Sequence, residues 1–174
     1  MKAELIDCNK KMQNNESQPI KGIVICKETG EYLLDLILDT DIDPVLLSSF
    51  VGALALFGLD NIGKIEEINI KGLNIEMLIV SRNNLILVII FDKNWETNIL
   101  HEEAEEALNM FYYTYKHEIK RNPINISRFE SFKNLLNIQI KDYFKKVGFS
   151  NEIKDFGFFT DAIKKQRNER LELL

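Results

Sequence analysis

Two apolar runs, Ile23-Val24-Ile25 within "GIVICK" and Leu85 to Phe91 within "NLILVIIF", do most to restrict what this chain can become. Successive side chains of a strand point to opposite faces of its sheet, so an unbroken apolar run needs cover on both. Such strands belong in the middle of a sheet that carries a further layer on each side. A chain of 174 residues suits that arrangement as one domain with an appendage.

The flanking segments supply the other elements. "KETG" joins the first run to "EYLLDLILD", with Gly30 free to take a positive φ, and the pair reads as a hairpin. "ETGE" is read as part of that turn and not as a partner-recognition motif. "KIEEINIKG", "LNIEMLIVS" and "NNLILVIIF" follow in quick succession, with Asn83-Asn84 as the turn before the last. Their links are too short for crossovers, which predicts an antiparallel meander. Between hairpin and meander, Asp43-Pro44 is an N-cap and first-turn pair and Gly58 a natural stop, enclosing a charge-free helix of about four turns. Beyond Glu96 the period turns helical, placing Leu100, Ala104, Ala107, Phe111, Tyr115 and Ile119 near one stripe. Pro123 breaks that helix. A second helix from Ile126 carries Phe129, Phe132, Leu136, Ile140 and Tyr143 and ends at Gly148. The predicted class is α+β, a five-stranded antiparallel sheet with helices on both faces in the order β-β-α-β-β-β-α-α. Residues 1–19 read as a flexible leader, 20–147 as the domain and 148–174 as a helical extension.

The helix from Pro44 is the segment with two uses. At about 100° per residue, Leu46, Leu47, Phe50, Leu54 and Phe57 gather on one side and are expected to cover the sheet. The other side holds Val45, Ser48, Ser49, Gly52, Ala55 and Leu56. A solvated face would carry Lys, Glu or Arg. Small residues one turn apart let another backbone come close, and an apolar patch in water marks an interaction surface. This face is therefore expected to meet another polypeptide.

Chemistry is harder to find. The net charge of -5 and a pI near 5.2 disfavour a nucleic-acid partner. No run of about 18 uncharged apolar residues occurs, so no membrane span is expected. The start of the chain has no apolar stretch of signal-peptide type. Cys8 and Cys26 form no CxxC pair, and Cys26 reads as a free buried thiol, which suits a reducing cytosol and a cytoplasmic protein. His101 and His117 do not share a helix face and read as solvated, not as metal ligands. "HEEAEE" stabilises the positive end of a helix dipole. "DKNWET" reads as a loop, with Trp95 packing inward and Thr97 or Asn98 as a cap. "MFYYTY" reads as core and groove packing. No Walker loop, GxGxxG or GxSxG is present. No catalytic, cofactor-binding or metal site is predicted, and the chain does not read as an enzyme.

The order β-β-α-β-β-β-α-α, with "GIVICKETGEYLLDL", "DPVLLSSFVGALALFG" and "NLILVIIFDKN" in sequence, resembles the longin and roadblock family over residues 20–145. Two helices after the last strand make it longin-like, and the style of the sequence is similar to archaeal versions. The resemblance implies a non-enzymatic platform that forms a homodimer, or a heterodimer with a related domain, through the first helix and the adjacent edge strand. It further implies docking of a small GTPase, as in membrane-trafficking complexes. Carried to this chain, the pairing residues would be Val45, Ser48, Ser49, Gly52, Ala55 and Leu56, with Ile68 and Ile70 on the edge strand. A small-molecule-sensing domain of PAS- or profilin-like architecture is the alternative, and it should show a buried pocket.

Overall fold

The structure, a computed structural model, describes residues 18–93, 95 and 99–148. The leader and the C-terminal extension expected from the sequence, and the Thr97 or Asn98 cap, fall almost wholly outside the described residues. Five strands, β1 (Ile20–Lys27), β2 (Tyr32–Ile37), β3 (Glu67–Lys71), β4 (Ile75–Arg82) and β5 (Leu85–Asp92), form one antiparallel sheet. Its order is β2-β1-β5-β4-β3, so the two strands that are apolar on both sides lie at the centre.

Alternation along these strands divides the core in two. Ile23, Ile25, Leu87, Ile89 and Phe91 point to one face, where α2 (Leu100–Ile119) and α3 (Phe132–Lys146) cover them. Val24, Cys26, Ile86, Val88 and Ile90 point to the other, beneath α1 (Pro44–Asn61). Full burial of a Val, Leu or Ile side chain is worth about 1.5–3 kcal/mol. Such paired burial along β1 and β5 is therefore the main force locating the sheet.

Local chemistry sets the connections. Gly30 adopts φ 87°, and Asn83 and Asn84 adopt φ 55° and 60°, the left-handed pair that a two-residue hairpin needs. Asp43 caps α1 with its carboxylate, accepting from the Val45 and Leu46 amides at 2.8 and 3.1 Å. The helix runs on through Gly58 to Asn61, and Gly63 at φ 98° follows the stop. Beyond Pro123 the sequence suggested one helix. The chain instead makes a short 3-10 turn, η1 (Ile126–Phe129), before α3 begins. That break lets Phe129 and Phe132 both reach Phe111, at ring-centroid distances of 5.2 and 5.1 Å.

Two polar anchors tie the ends together. Lys21 is buried, and its ammonium contacts Asp39 at 2.9 Å and Asp92 at 3.4 Å. Burial lowers its pKa, yet the hydrogen bond to Asp39 and the charges of Asp92 and Asp39 outweigh burial and leave it raised. On the other side, Trp95 donates its indole N–H to the Tyr143 hydroxyl at 2.7 Å, fastening the loop after β5 to α3.

Candidate interaction surface

The helix α1 sits on the sheet by the side that was expected to face away. Its buried residues are Leu47, Ser48, Val51, Gly52 and Gly58, with Ala55 packed against the same cluster. Ser48 has no exposed surface, and its hydroxyl donates to the Pro44 carbonyl at 2.7 Å. Gly52 meets the hairpin turn so closely that a Cβ there would lie 2.3 Å from the Gly30 Cα and 2.4 Å from its nitrogen. The expectation that Ser48, Gly52 and Ala55 form the outward face is thus overturned. The second backbone that these small residues admit is the chain's own β1–β2 turn.

The large residues consequently point out. Leu46, Phe50 and Phe57 are 70%, 49% and 62% exposed, and Val45, Leu56, Leu59 and Ile62 are exposed with them. Val45, Ser49 and Leu56 are the predicted interface residues of α1 that remain accessible. Polar side chains are few here: Ser49 bonds back to the Val45 carbonyl, and Asn61 to the Phe57 carbonyl. Measured by length and composition, α1 could cross a membrane, with a mean hydropathy of 1.4 over 18 residues. In this fold it lies along the sheet instead.

The edge strand adds to the same side. Ile68 and Ile70 of β3 are half-buried and point to the α1 side, beside Ile75 and Met77 of β4. The opposite side of β3 shows Glu67, Asn69 and Lys71. Here His101 of α2 places Nδ1 on the Glu67 carboxylate and Nε2 3.7 Å from Glu105. The ring is half-buried, so His101 links α2 to β3 and is not the solvated histidine expected; His117 is exposed.

Among the described residues, the buried thiol is not set up for covalent chemistry. Cys26 lies under α1, and burial pushes its thiol up to about 12 despite the Ser48 hydrogen bond that lowers it. That is the opposite of a reactive thiolate. Among the described residues no group of three His, Cys, Asp or Glu side chains could hold a metal ion. Glu103 is a buried carboxylate, but Lys146 and the Gln139 amide hold it, and it serves to fasten α3 to α2. The apolar cavity beside it, lined by Ile23, Leu87, Ala107 and Leu136 among others, measures about 20 Å3, the volume of roughly one water molecule. No organic ligand of the sensing-domain kind fits there.

The order of elements and the five-stranded antiparallel sheet with helices on both faces are those expected from the sequence. No family model matches the chain, and no curated protein is similar to it. The solved structures similar to it include a Roadblock/LC7 domain from Streptomyces avermitilis, at 10% identity and a TM-score of 0.49 over 57% of this chain and 88% of that one. MglB of Myxococcus xanthus is 15% identical, with a TM-score of 0.46 over 55% of this chain and 85% of that one. The gliding protein MglB of Thermus thermophilus is 16% identical, with a TM-score of 0.42 over 50% and 79%.

Proposed function

We propose that the protein is a non-enzymatic interaction platform. It pairs with a second copy of itself, or with a related domain, through the outward face of α1 and the β3 edge, and the pair docks a small GTPase in the cytoplasm, in complexes of the membrane-trafficking type. One observation carries the pairing: Leu46, Phe50, Leu56 and Phe57 stand in solvent on a helix with no exposed cation to solvate it. Contiguous apolar patches of this kind mark binding surfaces in soluble proteins. The GTPase half of the reading comes from the longin/roadblock resemblance of the sequence.

The test has two stages. Light scattering should give twice the chain mass, and Phe50→Glu should return it to the monomer mass with an unchanged circular dichroism spectrum, because Phe50 is exposed and belongs to neither buried core. A wild-type chain that stays monomeric at high concentration overturns the pairing. Purified small GTPases loaded with GDP or a GTP analogue are then presented to the immobilised dimer. Binding that prefers one nucleotide state supports the platform, and binding to neither removes the GTPase from it.

A further inference from the structure

One basic end interrupts an otherwise acidic chain. Between Tyr113 and Lys133 there are five Lys or Arg against two Glu, in a protein whose net charge is -5. Tyr113, Lys116, His117 and Lys120 stand at i, i+3, i+4 and i+7 on α2, which puts them on one helix face, and all four are exposed. Arg121 follows directly, its backbone N–H donating to the Glu118 carbonyl at 3.1 Å, and is exposed as well.

η1 belongs to the same end. The ring of Phe129 lies 5.2 Å from those of Phe111 and Tyr115 in α2, and the Tyr115 hydroxyl meets that of Ser131 at 2.9 Å. Ile126 and Arg128 of η1 are exposed beside these contacts. Because α2 and Phe129 pack on the sheet face opposite α1, this end lies across the sheet from the α1 crest.

Ion pairing separates the two halves of α2. In the first half, Glu103 is held by Lys146 and Glu105 by Arg82. In the second, Lys116, Lys120 and Arg121, and Arg128 after them, make no ion pair among the described residues, whereas Lys133 pairs with Glu130 at 2.9 Å. Cations at a helix C-terminus complement its dipole, but that effect ends within the last turn and does not extend to η1. Nor does it account for Tyr113 and Ile126, which stand 65% and 48% exposed at the same end.

We propose that this end of the protein docks on a bilayer of anionic lipid, with Lys116, Lys120, Arg121 and Arg128 at the headgroups and Tyr113 and Ile126 in the interfacial layer. The only acid between Lys116 and Arg128 is Glu118, so the surface complements a negative leaflet. An acidic peptide needs a groove to order it, whereas the outer face of a helix and its following turn is convex and suits a flat sheet of headgroups. Tyrosine and an aliphatic chain among cations are also the residues that settle at a membrane interface. The inference stands apart from the pairing and from the GTPase, and a chain seated in this way keeps its α1 crest free.

Co-sedimentation of the full chain with vesicles tests it. Vesicles of phosphatidylcholine with about one-third phosphatidylserine should be bound and pure phosphatidylcholine should not, because the leaflet charge supplies the attraction. Raising salt from about 0.1 M to about 1 M should release the chain as screening shortens. Each Lys or Arg at such a surface strengthens binding about fivefold, so Lys116→Gln with Lys120→Gln should weaken it about 25-fold and Arg128→Gln about fivefold. All three side chains are exposed, and the circular dichroism spectrum should not change. Equal binding to both vesicles, binding to neither, or phosphatidylserine binding that survives these substitutions would overturn the proposal. So would capture of a labelled polyglutamate peptide by a chain that ignores phosphatidylserine, which would assign the surface to an acidic peptide.

Discussion

Replacing Gly52 with alanine separates the arrangement found here from the one the sequence suggested. Inside a helix alanine is favoured over glycine by about 1 kcal/mol, so an exposed Gly52→Ala would stabilise the protein. In the structure the new methyl would sit 2.3 Å from the Gly30 Cα, where carbon atoms rest at about 3.5–4.0 Å. Both sides of the clash are backbone, and no flexible side chain can swing away. The helix and the β1–β2 turn must then part by about 1 Å, loosening Leu47 and Val51 against Val24 and Val88. Overpacking of this kind costs typically 1–3 kcal/mol, and the upper end applies when backbone meets backbone. Setting about 3 lost against about 1 gained leaves about 2 kcal/mol of destabilisation. That lowers the melting midpoint by about 6 °C in a chain of this length, at 2–4 °C per kcal/mol. Circular dichroism melts, with urea unfolding to confirm an unchanged slope, make the measurement. A midpoint that stays or rises would refute the contact. A lower mass in light scattering at an unchanged midpoint would restore Gly52 to the outer face.

Two further outcomes follow from the cores on either side of the sheet. Phe129→Ala removes a fully buried ring that meets Phe111 and Tyr115, and should cost about 3–5 kcal/mol, read as a lower urea midpoint. Cys26 should be alkylated only as fast as the protein unfolds. Because burial raises its thiol from 9.0 to about 12, the stability it contributes is whole below the unfolded value and falls as pH rises from 9.0 toward 12. Tyr32, raised by burial and then by Asp35, adds a loss in the same direction. Cys26→Ala should flatten part of that alkaline decline, and an unchanged decline would show that the thiol titrates normally.

Strands and turns were legible because each has a local cause. Leu85 to Phe91 could lie only at a sheet centre, Asn83-Asn84 could make only a tight turn, and Asp43-Pro44 could only open a helix. The stripe of α2 was legible too, since Glu and Lys mark its wet side. The rotation of α1 was not. Its residues are apolar or small all the way round, so periodicity gives no direction, and size gave a misleading one. Placing the bulky side inward maximises apolar burial for the helix alone. The fold instead brings the helix down to backbone contact with Gly30, which only the Ser48–Gly52 side allows. That contact joins residues 22 positions apart, and no window along the chain contains its cause. The 3-10 break before α3 escaped for a similar reason, because the ring cluster around Phe111 and not local propensity decides where that helix begins. Ile68 and Ile70 were placed on the correct strand, whereas the role of His101 depended on Glu67, which arrives from another element.

Where Gly30 and Gly52 touch, the protein has no side-chain layer to act as a cushion. The hairpin turn and α1 therefore meet as backbone on backbone, with the helix crest at Phe50 and Phe57 left in solvent. Occupancy of the outer ridge should then be readable at the opposite end of the contact, in the amide exchange of Lys27 to Gly30.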